Sequence, residues 1–141
     1  MTDLTLETAQ TIVAAALRHG GEAGFKPLAV AVLDARGALK AFAAQEGTSL
    51  KRGNIALGKA HGSLALGMGG RALQDRAESQ PYFIAAATQA VEGPLIPVRG
   101  GVLLKAEGKV IGSVGVSGDT SDNDEAAALA GIEAAGLEAQ P

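Results

Sequence analysis

Apolar and polar positions along this chain follow two rhythms, one of helical spacing and one of short extended runs. In residues 5–18, Leu6, Ala9, Val13, Ala16 and Leu17 recur on one side while Glu7, Gln10, Thr11 and Arg18 fall on the other, which predicts a helix. Gly20, Gly21 and Gly24 are expected to end it, and Pro27 to set up an extended segment. Leu28–Leu33 is an unbroken apolar run, the pattern of a strand covered on both faces. Asp34-Ala35-Arg36-Gly37 reads as a turn, after which residues 38–44, with Leu39 and Phe42, return antiparallel. A second hairpin joins Val102-Leu103-Leu104 to Val110, Ile111, Val114 and Val116. Its turn, Lys105-Ala106-Glu107-Gly108, has the same apparent shape as the first, with Gly108 in the left-handed position of a G1 bulge.

Between the hairpins, residues 48–67 predict a long helix with Leu50, Leu57, Leu64 and Met68 on one stripe. Shorter helices are expected at 70–77 and 81–88, and Gly93–Pro97, with two prolines, as a loop or edge strand. A last helix begins at Ser121–Asp124, whose spacing approximates a capping box, and runs through 126–137 with Leu129, Ile132 and Leu137. Strands therefore come in antiparallel pairs rather than singly between helices, which argues against a parallel dinucleotide-binding sheet. The expected fold is α/β of the α+β kind: one domain over residues 1–141, a single antiparallel sheet of about five strands built from two hairpins and covered by helices.

Composition narrows the chemistry. The 141 residues are 47% hydrophobic but only 3% aromatic, so packing relies on small side chains. There is no tryptophan and the net charge is −3, which argues against a nucleic acid partner. The absence of cysteine removes disulfides, thiol nucleophiles and cysteine-held metal centres. No run is long and apolar enough for a bilayer, and the first residues lack the basic start and apolar core of a secretion signal, so a cytoplasmic location away from membranes is expected.

Four motifs, taken in order, resemble the haem-binding HbpS/GlcG-like family, which includes the C-terminal domain of PduO-type proteins. They are Leu28–Gly37, with Asp34 and Gly37 at the turn; Ala56-Leu57-Gly58-Lys59-Ala60-His61-Gly62; Gly100-Gly101-Val102; and Gly112–Gly118 followed by Asp122 and Asp124. The resemblance covers almost the whole chain. It implies a small domain of profilin- or PAS-like layout that forms homo-oligomers and binds haem or a related tetrapyrrole, with haem degradation or a place in a catabolic operon as further expectations.

His61 is the first candidate for chemistry. It shares a helical stripe with Leu57, Leu64 and Met68, which would set an imidazole in apolar surroundings, as haem iron requires; a buried histidine bonded to backbone carbonyls is the competing reading. Lys59 projects elsewhere on the same helix. By the resemblance it would meet a haem propionate or substrate carboxylate; a base of lowered pKa, or a salt bridge to Asp34 or Asp124, are alternatives. Arg99 beside Gly100 and Gly101 offers a guanidinium and free N–H groups to an anion, and Gly115 to Gly118, with Ser117, offers a thin wall that Asp124 could reach. Gly67-Met68-Gly69-Gly70-Arg71 reads as a hinge, a helix break or an anion nest. His19 complements a helix C-terminus, and Asp119, Asp122, Asp124 and Glu125 lack the spacing of a calcium loop, so they read as helix-start chemistry. Nucleotide-binding motifs and the G-x-S-x-G elbow are absent.

Three functions stand at this point. The first is haem held between His61 and the glycine-rich second hairpin, or across a subunit interface. The second is a cofactor-independent enzyme acting on a small organic acid with Lys59, His61 and Asp34 as acid–base groups and Arg99 as anchor, which requires these side chains to converge. The third is a non-catalytic scaffold subunit.

Overall fold

The computed structural model describes residues 3–141. Its elements are α1 (Leu6–Ala23), β1 (Ala29–Asp34), β2 (Leu39–Ala44), α2 (Arg52–Leu66), α3 (Gly70–Ser79), α4 (Pro81–Ala90), β3 (Gly101–Ala106), β4 (Lys109–Ser117), α5 (Ser121–Ala134) and β5 (Glu138–Gln140). The strands form one antiparallel sheet in the order β2-β1-β4-β3-β5. The α+β architecture expected from the two hairpins is the one observed. Among the described residues no helix is long and apolar enough to cross a membrane.

The two faces of the sheet are built from different side chains. In β1, Val30 and Val32 join Ile12, Val13 and Ala16 of α1 and Ala127, Ala128 and Ile132 of α5 in the main core. The alternate residues Ala29 and Ala31 meet Ala56 of α2 on the opposite face. The unbroken apolar run thus hides a period-two alternation of large and small residues. Branched side chains fill the space under α1 and α5, and alanines let α2 lie close.

Several boundaries differ from expectation for identifiable reasons. Helix α1 continues through Gly20 and Gly21 and stops only at Gly24, whose left-handed φ of 75° lets its N–H cap the last turn. Gly20 is a packing residue instead: a Cβ there would lie 2.6 Å from Leu28 Cδ1. His19 is consequently inside the helix, edge-on to Phe25 with ring centroids 5.7 Å apart, and not at a C-terminus. Helix α2 begins at Arg52, not Thr48, leaving Leu50 in the preceding turn and 90% exposed.

The two hairpin turns do not share a shape. The first is a three-residue loop in which Gly37 has φ 87° and Asp34 and Ala38 still pair across it. The second is a two-residue loop with left-handed φ at both Glu107 and Gly108, the I′ geometry that suits strand twist. Its bulge lies further along, where Leu104 pairs with Gly112 and Lys105 with Val110. At α5 the cap is Thr120, which accepts from the Asn123 N–H, so Ser121 and Asp124 do not form a capping box. The helix ends at Ala134; Gly136 turns left-handed at φ 72°, and the following residues form β5 beside β3, supplying the fifth strand.

Candidate functional site

Helix α2 carries both leading candidates, and it directs them to opposite environments. Its inner side is Ala56, Lys59, Ala60 and Ser63, all buried. This side is seated on glycine. A Cβ at Gly115 would strike the Ala56 carbonyl, and one at Gly101 would lie 2.5 Å from Lys59 O and 2.7 Å from Ser63 Oγ. Ser113 Oγ donates to Ala60 O at 2.8 Å, adding a polar tie between helix and sheet. Gly101 and Gly115 therefore serve helix–sheet contact, and the space beside them that a ligand would need is filled by α2.

Lys59 closes this buried side. Its Nζ donates to Val116 O at 2.9 Å and to Asp124 Oδ2 at 3.0 Å, with both side chains almost wholly out of solvent. Asp124 Oδ1 accepts from the Asp119 N–H at 2.9 Å. Burial pushes the Lys59 amine down, opposed by Asp124, with Arg52 adding to the depression. Burial likewise pushes the Asp124 carboxyl up, opposed by Lys59. Gly100 takes φ 115° beside the amine, where a Cβ would lie 2.8 Å from Nζ. Lys59, Gly100 and Asp124 thus form a closed junction joining α2, β4 and α5, leaving the amine no free reach to a propionate or substrate. Ser117 is buried and accepts from Arg52 Nη1 at 3.1 Å.

Arg99 is also engaged. Its Nε lies 3.7 Å from Asp122 and 4.0 Å from Glu125, while Arg71 grips Glu125 through two 2.9 Å bonds. The Gly67–Arg71 segment is a helix break: Gly67 caps α2 at φ 66°, and Gly70 lies against the backbone of residues 98, 99 and 101. Asp34 sits at the first hairpin. Burial opposes its charge, yet the Arg36 guanidinium and the N–H groups of Ala38 and Arg36 hold its carboxyl below the usual range. Lys59, His61, Asp34 and Arg99 consequently take separate partners, and the convergence required by an acid–base enzyme is not formed.

His61 lies on the outer side of α2, so its stripe does not point into the core. Leu57, Leu64 and Met68 are half-buried like His61 itself. The helix stands between His61 and the second hairpin, which rules out haem clasped between those two. His61 Nδ1 lies 2.8 Å from Pro94 O. A carbonyl oxygen only accepts, so Nδ1 carries the proton, and in the neutral ring the lone pair is then on Nε2. Leu57, one turn earlier, lines a groove of about 370 Å³ between β2 and α2, together with Leu39, Phe42, Leu50 and Asn54. His61 does not line that groove but adjoins it across one helical turn. Sequence reasoning missed Pro94 as the partner of His61, since no spacing rule links a carbonyl to a ring 33 residues away.

The model of the haem-degrading HbpS-like family matches residues 4–133. The chain belongs to the HbpS-like family. Solved structures of the same fold include PduOC in complex with heme, at 22% identity and TM-score 0.86 over 97% of this chain and 98% of that one. The Klebsiella pneumoniae protein ORFY is 24% identical with TM-score 0.84, covering 96% of this chain and 93% of its own. HbpS is 26% identical with TM-score 0.81, covering 94% and 90%. A comparison with curated proteins finds no match. The HbpS-like family of this chain agrees with the resemblance carried by the four sequence motifs.

Proposed function

We propose that this chain binds haem, with His61 as the iron's protein ligand and the β2–α2 groove receiving a face of the porphyrin. The observation that carries this reading is the Nδ1–H bond to Pro94 O. In the neutral ring it assigns the lone pair to Nε2, the form that ligates a metal, and it sets the plane of the ring. The groove supports the same reading through its chemistry. Leu39, Phe42 and Leu50 are 55%, 46% and 90% exposed, an apolar surface suited to a flat apolar ligand. Its polar residues, Thr48, Ser49 and Asn54, are not titratable, which favours carriage of haem over acid–base chemistry by the protein. Bound haem would supply the iron chemistry; His61 holds it, and the leucines and Phe42 exclude water from it.

In this reading the protein is a cytoplasmic carrier that self-associates. Strand β2, a sheet edge with one charged residue, and α4, with none, are the surfaces available for that. The test is a haem titration followed at the Soret band. Saturation at stoichiometric haem is expected for the natural sequence, and loss of the band's shift for His61→Ala with an unchanged far-ultraviolet dichroism spectrum. No Soret shift of the natural protein at stoichiometric haem overturns the reading.

A further inference from the structure

The segment that carries Pro94 has a feature at almost every position, and two of them act on His61 directly. Glu92 holds a left-handed φ of 50°, a costly conformation for a residue with a side chain. It turns the chain from the end of α4 onto the outer side of α2. At Gly93 a Cβ would lie 2.5 Å from His61 Cε1 and 2.9 Å from Nε2, so only glycine leaves the ring its place. Pro94 supplies the carbonyl that accepts from Nδ1. Leu95 and Ile96 then press into the helix where it lacks side chains: Cβ atoms at Gly62 and Gly58 would come 2.5 Å from Leu95 Cδ1 and 2.6 Å from Ile96 Cγ1. The Ile96 N–H also donates to Gly58 O at 3.4 Å.

We infer that residues 92–96 are a positioning strap, fastened into the glycine notches of α2, whose task is to fix the tautomer and plane of His61. Its consequence for haem rests on the function proposed above; its effect on the ring does not. Gly93 is a positioning residue, because it acts through the imidazole. A methyl group at this position displaces the ring and breaks the Pro94 bond. The imidazole then relaxes to the mixture of tautomers of a free histidine.

The chain has two histidines, so long-range proton–nitrogen NMR of the neutral rings resolves them, with His19→Gln assigning the pair. The natural protein is expected to show His61 protonated at Nδ1. Gly93→Ala should shift its two nitrogens toward averaged values while those of His19 stay fixed, and lower haem affinity by on the order of 10- to 100-fold. Gly21→Ala, at a helical glycine with open space around it, should change neither. Unchanged His61 nitrogens in Gly93→Ala overturn the strap. Loss of the Nδ1–H form with unchanged haem affinity upholds the strap and contradicts His61 as the ligand.

Discussion

The inner and outer sides of α2 carry one candidate residue each, only two positions apart, and the fold treats them in opposite ways. Lys59 faces inward, is 3% exposed, and has both a carboxylate and a carbonyl within 3.0 Å. His61 faces outward, with Nδ1 held by Pro94 O, Nε2 making no hydrogen bond among the described residues, and an uncovered apolar groove one helical turn away. A charged residue in a functional-looking motif can therefore be a joint of the fold, while its less conspicuous neighbour has the geometry to bind. What separates them is whether any donor or acceptor is left over once the chain's own contacts are made.

The comparison breaks most readily at Lys59. Replacing it with methionine leaves Asp124 buried without its amine, and the protein should lose about 3–5 kcal/mol of stability in denaturant unfolding. The pair Lys59→Met with Asp124→Leu should recover part of that loss, since no charge is then left buried, while the Asp119 N–H gives up its acceptor. A neutral Lys59→Met would mean that the inner side is not the closed joint described. The second strain on the comparison is Gly115→Ala. The added methyl strikes the Ala56 carbonyl and should lift α2 from the sheet, costing about 1–3 kcal/mol. An unaltered unfolding midpoint would contradict the close seat of the helix.

A smaller effect belongs to the loop that delivers Asp124. Asp119 accepts from the Lys26 N–H first, then the Thr120 N–H and the Asn123 amide, which brings its carboxyl from an ordinary 3.8 down to about 2. A carboxyl depressed in the folded state favours folding above its unfolded value. Its contribution should be complete above 3.8 and fade as pH falls toward about 2. Urea midpoints of Asp119→Asn should show a shallower decline across that window than those of the natural protein. Parallel declines would remove Asp119 from the account.

Much of this was legible from residue order. The hairpins and the antiparallel sheet were readable because turn glycines and apolar runs are local signals. For Lys59 a salt bridge to Asp124 was one of the alternatives the sequence left open, and the structure forms that one. The glycines of the second hairpin, Gly112 to Gly118, suggested a ligand wall because glycine marks close approach by any backbone; in Gly115 that backbone is α2. The orientation of His61 was less accessible. Its stripe of Leu57, Leu64 and Met68 has the periodicity of a core face, but the core under α2 is made of alanine and glycine. The large residues were left outside, half-buried, with Leu57 lining the β2–α2 groove. No local rule encodes that exchange, since it depends on how near the helix lies to the sheet.

The most direct measurement of the central claim is the iron–histidine stretch in the resonance Raman spectrum of the ferrous haem complex. The account predicts the band in the natural protein and in His19→Ala, and its disappearance in His61→Ala with the fold intact. Persistence of the band without His61 would contradict it.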